Sequence, residues 1–223
     1  GLNRMTWRMN RDGVRFPSRS KPKKDADPAG GPAVMPGTYK LVLLHNGMKD
    51  STTLEVYADP RVEISDAQRR SKEETIKEFE GVVTKASESF DQLIEAKKTI
   101  SRVNQMMVNA PDSTKTEIEK EGKEIQKKIK ELSKLYMDAE NQKGIQRDKN
   151  TLNRALGTAR SLLGASKGAP GQNTLNAINN AKLKLEDVLK QVNTFINEDW
   201  KTYRANVEAI QSPLFKDLKV VDY

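Results

Sequence analysis

His45 is the only histidine in this 223-residue chain, and the chain contains no cysteine. A Ser-His-Asp triad needs a histidine base, and a typical zinc site needs several histidine or cysteine ligands. His45 comes directly before Asn46-Gly47, a pair typical of tight turns, so we interpret it as a surface residue beside a turn. The absence of cysteine excludes disulfides and thiolate metal sites. Neither nucleophilic nor zinc chemistry is expected from these residues.

The segment Gly164-Ala165-Ser166-Lys167-Gly168 precedes a predicted helix and invites comparison with a phosphate-binding loop. Its spacing is different, because no Gly-Lys-Ser/Thr triplet closes it. We interpret the segment as a connection between two helices, although the free amides at the start of the next helix could still hold an anion. It predicts no cofactor.

Carboxylates are abundant, and most of them have a lysine three or four residues away, as Glu73 has Lys77. Such pairs are typical of a solvated helix face, whereas paired catalytic acids or a di-metal site need acids on the buried face. Asp187 and Asp199 come closest to that position, and we interpret them as flanking residues. The sequence therefore predicts no catalytic, cofactor-binding or metal-binding residue.

The longest regular pattern predicts one amphipathic helix from Ser65 to Asn109, about 65 Å long at the usual rise per residue. Ser65 and Gln68 fit a capping box at its start, and Pro111 follows its end. Its apolar residues recur at intervals of three and four, so they share one face that other helices or another chain must cover. These residues are Ile76, Phe79, Val83, Ala86, Phe90, Leu93, Ile100, Val103 and Met107.

Two shorter amphipathic segments follow and are expected to cover part of that face. The first is predicted to start at Ser113 or Thr114, with Glu117 completing a capping box. The second is predicted from Thr151 to Ser166. Together they match the length of the long helix, so end to end they would form one interrupted arm.

The last long helix is predicted to start at Asn173 or Thr174 and to end at Pro213. Its apolar face drifts by one position after Phe195, where Ile196 begins the second part of the pattern. With the preceding helices it predicts a long antiparallel three-helix, coiled-coil-like bundle with a broken middle arm.

The first 62 residues predict a small antiparallel β unit. Alternation over Asn3–Met9 is typical of a half-buried strand, whereas the prolines and glycines of Asp12–Pro36 argue against any regular element there. Tyr39–His45 and Thr52–Tyr57 predict a hairpin that turns at Asn46-Gly47. Three strands are too few for a stable β-sandwich, so the other strands of a sandwich would be missing from the chain or supplied by a neighbour.

These patterns predict an α+β, mostly α chain with three regions. Residues 1–62 form the β unit, 63–212 the helical bundle, and 213–223 a C-terminal tail. The one short apolar run, Tyr39–Leu44, is far below the roughly 20 residues that a membrane span needs. Because the chain begins at Gly1 without methionine, we expect a processed product or a piece of something longer.

The formal net charge of +8 is concentrated near the start of the chain, where residues 1–62 carry eleven Lys or Arg against six Asp or Glu. Such a cluster could meet phosphates, so a binding module for nucleic acid or an anionic surface is an alternative function. A solvated basic segment is the favoured interpretation, because only Trp7 and Phe16 offer rings for stacking. The cations are Arg4, Arg8, Arg11, Arg15, Arg19, Lys21, Lys23 and Lys24.

Three short motifs occur in order: Gly1-Leu2-Asn3-Arg4 with Trp7, Pro36-Gly37-Thr38-Tyr39, and Asp59-Pro60-Arg61-Val62 directly before the long helices. In this order they resemble the C-terminal region of large bacterial sortilin-like proteins that carry BNR (Asp-box) repeats and are often labelled glycosyl hydrolases. The resemblance implies that an immunoglobulin- or fibronectin-like module and the helices follow β-propellers, and that the protein is exported to the periplasm or beyond.

The Asp-box pattern, Ser/Thr-x-Asp-x-Gly-x-x-Trp, is absent from this chain, since Asn10-Arg11-Asp12-Gly13 has different spacing. The resemblance therefore implies that the propellers and any glycan-cleaving acids lie upstream of Gly1. This chain would be a non-catalytic accessory module, a spacer or docking element whose partner is the upstream propeller region or another chain. A homodimer through the sheet edge or the bundle also remains open, as does an enzyme site completed by upstream domains.

Overall fold

A computed structural model describes residues 4–23, 25–107, 110–139 and 150–210, and it is mostly helical, which confirms the expected α+β, mostly α composition. The strands form two separate antiparallel sheets of two strands each. The predicted tail, 213–223, lies outside the described residues, as do Lys24 and the predicted helix ends at Asn109 and Pro213. In chain order the elements are β1 (Asn10–Asp12), β2 (Gly30–Ala33), β3 (Gly37–His45), β4 (Met48–Val56), α1 (Asp66–Met106), α2 (Asp112–Tyr136), α3 (Leu152–Ala165), α4 (Gln172–Phe195), a π-helical turn (Ile196–Trp200) and α5 (Lys201–Glu208).

The predicted capping box at the start of α1 is present. The Ser65 hydroxyl accepts a hydrogen bond from the Gln68 amide at 3.2 Å, and the Gln68 side chain accepts one from the Ser65 amide at 2.9 Å. Amides that would otherwise lack partners at this helix start are therefore satisfied. The predicted apolar face is also correct, since all its members except the half-buried Ile76 are buried.

The predicted caps of the second and last long helices were wrong. The α2 helix begins directly after Pro111, whose extended backbone (φ −53°, ψ 141°) leads into Asp112, so Ser113 lies within the first turn. The charge of Asp112 then complements the positive end of the helix dipole. The α4 helix begins after Gly171, and no side chain caps it; Thr174 is buried within its first turn.

The helices share one hydrophobic core, and their cross-contacts give their directions. Along α1, Ser89 meets Tyr136 near the end of α2, whereas Ile100 lies against Gly122 in its middle, so α1 and α2 run in opposite directions. Asn206 of α5 donates a hydrogen bond to Glu121 of α2 at 3.1 Å. These contacts bring residues far apart in the chain into one packed core.

A π-helical turn, Ile196–Trp200, lies between α4 and α5, at the place where the apolar pattern drifts by one position. A π turn accommodates one extra residue within a helix. Phe195 and Tyr203 are buried on either side of it, so the core-facing stripe continues across the extra residue. The π turn therefore explains why the apolar pattern shifts by one position in the sequence.

The predicted strand Asn3–Met9 was wrong in position. Met9 has a φ of 53°, which interrupts the extended backbone, and strand β1 begins one residue later. The prediction that Asp12–Pro36 holds no regular element was also wrong, because β2 pairs with β1. This pairing depends on Gly31, since a Cβ there would lie 2.5 Å from the Arg11 carbonyl oxygen.

Candidate functional site

The hairpin of β3 and β4 is exposed along nearly its whole length, and its predicted turn is confirmed. His45 pairs with Met48, so Asn46 and Gly47 form a two-residue loop. Their φ angles are 47° and 78°, the left-handed values that such a loop needs and that Asn-Gly tolerates. The hairpin register is therefore fixed by its turn.

This register divides the side chains between two faces, because successive residues of a strand point to opposite sides. The strand positions pair Leu41 with Thr52 on one side and Val42 with Ser51 on the other. One face, which we name the apolar hairpin face, carries the apolar residues Tyr39, Leu41, Leu43, Met48, Leu54 and Val56, together with Asp50 opposite Leu43, Thr52 opposite Leu41 and His45 opposite Met48.

The apolar hairpin face is open over most of its length. Leu43 is 53% exposed and Met48 68% exposed, and Leu41 and Leu54 are also exposed. A two-stranded hairpin alone is marginally stable in water, and further strands or a helix packed on its apolar side are needed for independent stability. This face consequently leaves apolar area exposed to water.

Among the described residues, contacts cover the base of the apolar hairpin face and leave the rest of it open. The rings of Trp7 and Tyr39 lie 5.4 Å apart, centroid to centroid. The Trp7 indole nitrogen donates a hydrogen bond to the Asn10 carbonyl at 2.9 Å, and the Tyr39 hydroxyl donates to the Met35 carbonyl at 2.6 Å. These contacts fix the base of the hairpin to β1 and to the segment after β2.

The segment 10–21, which we name the strap, crosses from β1 onto the helices. Arg11 forms ion pairs with two acids of α1, Glu80 at 2.7 Å and Glu73 at 3.3 Å. Arg15 pairs with Asp91 of the same helix. All of these groups are partly buried, so the pairs are less screened than pairs on an open surface.

The strap also reaches α3 and the end of α2. Phe16 packs against Phe79 at 6.4 Å between ring centroids, and the Arg160 guanidinium lies 5.2 Å above the Phe16 ring. The Asn153 side chain donates a hydrogen bond to the Pro17 carbonyl at 2.9 Å, and Arg19 donates to a backbone carbonyl beyond α2. The strap thus joins α1, α2 and α3 from one side.

Four of the eight cations predicted near the start of the chain, Arg11, Arg15, Arg19 and Lys21, are therefore occupied by contacts within the protein. Sequence reasoning missed this role, although a signal exists: Arg11, Arg15 and Arg19 recur every four residues, and α1 carries half-buried acids. To predict these ion pairs from the sequence, one would need to know that the strap runs along α1. That path depends on the pairing of β1 with β2. Arg4, Arg8 and Lys23 are exposed.

The residues considered for chemistry lie far apart in the described part of the chain. His45 is exposed at the end of β3, and Gly164–Gly168 forms the end of α3 and the loop after it, where the Ser166 carbonyl accepts a hydrogen bond from Lys72. Asp187 is exposed, and Asp199 pairs with a lysine of α2. Among the described residues no group of three or more His, Cys, Asp or Glu is placed to hold a metal ion.

The perturbed titrations follow structural contacts. Burial raises the pKa of Tyr136 to about 12, and burial likewise raises the pKa of Tyr203. At the junction between the hairpin and α1, the Arg61 guanidinium donates two hydrogen bonds to Asp59 and lowers the pKa of that carboxyl. Both tyrosines belong to the hydrophobic core, so their shifts describe packing.

In the described parts of the chain, no helix combines the length and the low polarity that crossing a bilayer requires. Comparison with protein-family models, with curated proteins and with solved structures finds no match to this chain.

Proposed function

We propose that this chain is a non-catalytic docking and spacer module of an exported multidomain protein, and that it attaches through the apolar hairpin face. The observation that carries the proposal is the open face itself, on which Leu41, Leu43, Met48 and Leu54 are exposed together. Burying apolar area is the main favourable term in association, so covering these side chains would stabilise both the hairpin and the complex.

The partner that fits this face is another β-structure. Strand positions on the hairpin edges carry backbone amides and carbonyls that an added strand could pair with, while the apolar side chains would pack against a second sheet. The resemblance to sortilin-like BNR-repeat proteins suggests the propeller region of the same polypeptide as that partner. An immunoglobulin- or fibronectin-like sandwich would then be completed between the two.

The helices would supply the spacer. Their shared core and the opposite directions of α1 and α2 support a long three-helix bundle, with α2 and α3 as the two pieces of a broken middle arm. A helix of 41 residues extends for about 60 Å. The strap would couple the docking end to this rod, because the same segment contacts β2 and three helices.

The test has a genetic part and a binding part. The coding sequence before Gly1 should contain Asp-box repeats, and their absence would remove the propeller as partner and the family assignment with it. Where the repeats are present, the separately expressed propeller region should bind this chain in isothermal titration calorimetry. Neither this chain nor its hairpin variants should hydrolyse polysaccharides that the full-length protein cleaves.

Two matched variants make the binding result specific. Leu41→Ser with Leu43→Ser changes the apolar hairpin face and should weaken binding strongly, whereas Val42→Ser with Leu44→Ser changes the opposite face and should leave it nearly intact. Equal losses in both variants, with the helices still folded by circular dichroism, would contradict the docking surface proposed.

A second candidate function, binding of an anionic surface or nucleic acid, is supported by α2 and not by the strap. Five lysines of α2 recur at intervals of three and four and therefore share one side of the helix, beside a groove of about 1050 Å³ between α1 and α2. They are Lys120, Lys123, Lys127, Lys130 and Lys134.

Salt dependence separates this candidate from docking through the hairpin. Affinity for a DNA or heparin probe should fall steeply between low and moderate salt, and each lysine of the row changed to glutamine should reduce the salt slope by about 1. Affinity that is indifferent to salt would remove this candidate.

A further inference from the structure

A cavity of about 480 Å³ lies between the strap, β2, α1 and α3. Its volume falls within the range of about 300–1,000 Å³ that small-molecule sites have. Apolar side chains from three separate parts of the chain line it: Val14, Phe16, Ile76, Phe79 and Leu163. Val14, Phe16 and Ile76 are only partly buried, so they leave apolar surface for a ligand.

The acids around this cavity have ion-pair partners, whereas its cations have none among the described residues. Its two acids, Glu73 and Glu80, are both paired with Arg11. In the described part of the chain none of its four cations forms an ion pair: Lys72 donates to the Ser166 carbonyl, and Arg160 lies over the Phe16 ring. The four cations are Arg69, Lys72, Arg160 and Lys167.

Three of the four cations are separated from the apolar groups along the cavity. Arg69 and Lys72 lie in the first two turns of α1, and the contact of Lys72 with Ser166 brings the neighbouring Lys167 to the same end. Ile76 and Phe79 follow one to two turns later on α1, where Phe16 packs on Phe79. One end of the cavity therefore carries three cations, whereas the fourth, Arg160, lies over the Phe16 ring beside the apolar groups.

We propose that this cavity binds a small amphiphilic anion, with its carboxylate at Arg69, Lys72 and Lys167 and its apolar body against Phe16, Ile76 and Phe79. Arg69 and Lys72 are partly buried, whereas Lys167 is exposed. A charged hydrogen bond from the two partly buried groups discriminates between an anion and a neutral molecule of the same shape. The apolar end has room for either a short alkyl chain or an aromatic ring. The proposal is independent of docking through the hairpin.

Isothermal titration calorimetry on the whole chain tests the proposal with pairs of matched probes. Naphthalene-2-carboxylate and its neutral carboxamide represent an aromatic body, and decanoate and decanol an alkyl body. We expect at least one carboxylate to bind about tenfold or more tightly than its neutral match. The better carboxylate identifies which kind of body the cavity accepts.

The variant Arg69→Gln with Lys167→Gln should reduce the preference for the carboxylate to nearly nothing while leaving the fold unchanged by circular dichroism. The control, Lys85→Gln with Lys98→Gln, removes two exposed charges elsewhere on α1 and should keep the preference. Absence of binding by both carboxylates, equal affinity for charged and neutral probes, or equal losses in the two variants would overturn the proposal.

Discussion

The hydroxyl oxygens of Ser89 and Tyr136 lie 2.7 Å apart in the core between α1 and α2. Ser89 also donates a hydrogen bond to the Ala86 carbonyl at 3.1 Å, so the hydroxyl of Tyr136 is the donor in the shared bond. Both side chains are buried, and the Tyr136 ring packs against Phe90 at 4.9 Å between centroids. One polar bond is thus enclosed by apolar groups.

The two halves of this bond should respond differently to truncation. Tyr136→Phe leaves the Ser89 hydroxyl with its Ala86 acceptor, so we expect a loss of about 1 kcal/mol in the free energy of unfolding. Ser89→Ala leaves the buried Tyr136 hydroxyl without an acceptor and should cost about 1–3 kcal/mol. Urea unfolding of both variants measures the difference, and a larger loss in Tyr136→Phe would contradict the assignment of donor and acceptor.

Alkaline pH should destabilise the fold through the same tyrosine. Burial raises the pKa of Tyr136 from 10.0 to about 12, so in that range the unfolded chain releases a proton that the folded chain retains. Stability contributed by this group is complete below pH 10 and decreases as the pH rises toward 12, by about 2–3 kcal/mol in all. Urea unfolding at several alkaline pH values should show a shallower decrease in Tyr136→Phe than in the wild type.

The strap should depend on Phe16 for its attachment to the helices. Phe16→Ala removes the contacts with Phe79 and Arg160, so the strap should open more often and trypsin should cleave faster after Arg15 and Arg19. Met5→Ala changes an exposed side chain outside the strap and serves as the control. Cleavage followed by mass spectrometry locates the sites, and an unchanged rate in Phe16→Ala would show that the ion pairs and hydrogen bonds hold the strap without the Phe16 ring.

The turn of the hairpin should be sensitive to a side chain at Gly47. Its φ of 78° lies in the left-handed region, where a residue with a branched Cβ costs about 1–2 kcal/mol. Gly47→Val should therefore accelerate amide hydrogen exchange in β3 and β4 while leaving exchange in α1 unchanged. Equal acceleration in α1 would mean that the hairpin and the helices unfold together.

Because of the π turn, we expect deletion of one residue within it to destabilise the fold less than deletion of one residue within α4. Removing the exposed Asn197 takes out the extra residue and lets α4 and α5 join as one regular helix, so the loss should be under about 1 kcal/mol. Removing the exposed Glu186 instead rotates Val188, Val192 and Phe195 by about 100° away from the core and should cost more than about 3 kcal/mol. Thermal unfolding of the two deletions compares them, and similar losses would contradict this account of the turn.

The sequence predicted best those features that depend on short-range patterns. The α1 face repeats along the whole helix, and Asn46-Gly47 carries its own backbone preference, so both were correct. The caps of α2 and α4 failed because Pro111 and Gly171 end the preceding segments and set where each helix starts. A local pattern could not reveal β1 and β2, because their pairing needs the close approach at Gly31.

The open hairpin face was anticipated in part, since the shortage of strands was visible in the sequence. The cationic cavity was not, because its lining comes from the strap, from the start of α1 and from the end of α3. Arg69 and Lys167 lie on opposite sides of α2 in the chain order, and nothing in their own neighbourhoods marks them. The contact between Lys72 of α1 and Ser166 after α3 brings those groups together, and the strap lines another side of the same space.

The contacts of the strap also constrain the order in which parts of the protein can fold during synthesis. Glu80, Asp91 and Asn153 follow their partners in the strap by 69, 76 and 136 residues, so a ribosome that has made residues 10–21 must still make most of the chain. During that interval the strap, with its arginines and Phe16, has no helices to pack against. It is then accessible to proteases and chaperones. The strap is thus synthesised before the helices that it contacts, and it can pack only after they are complete.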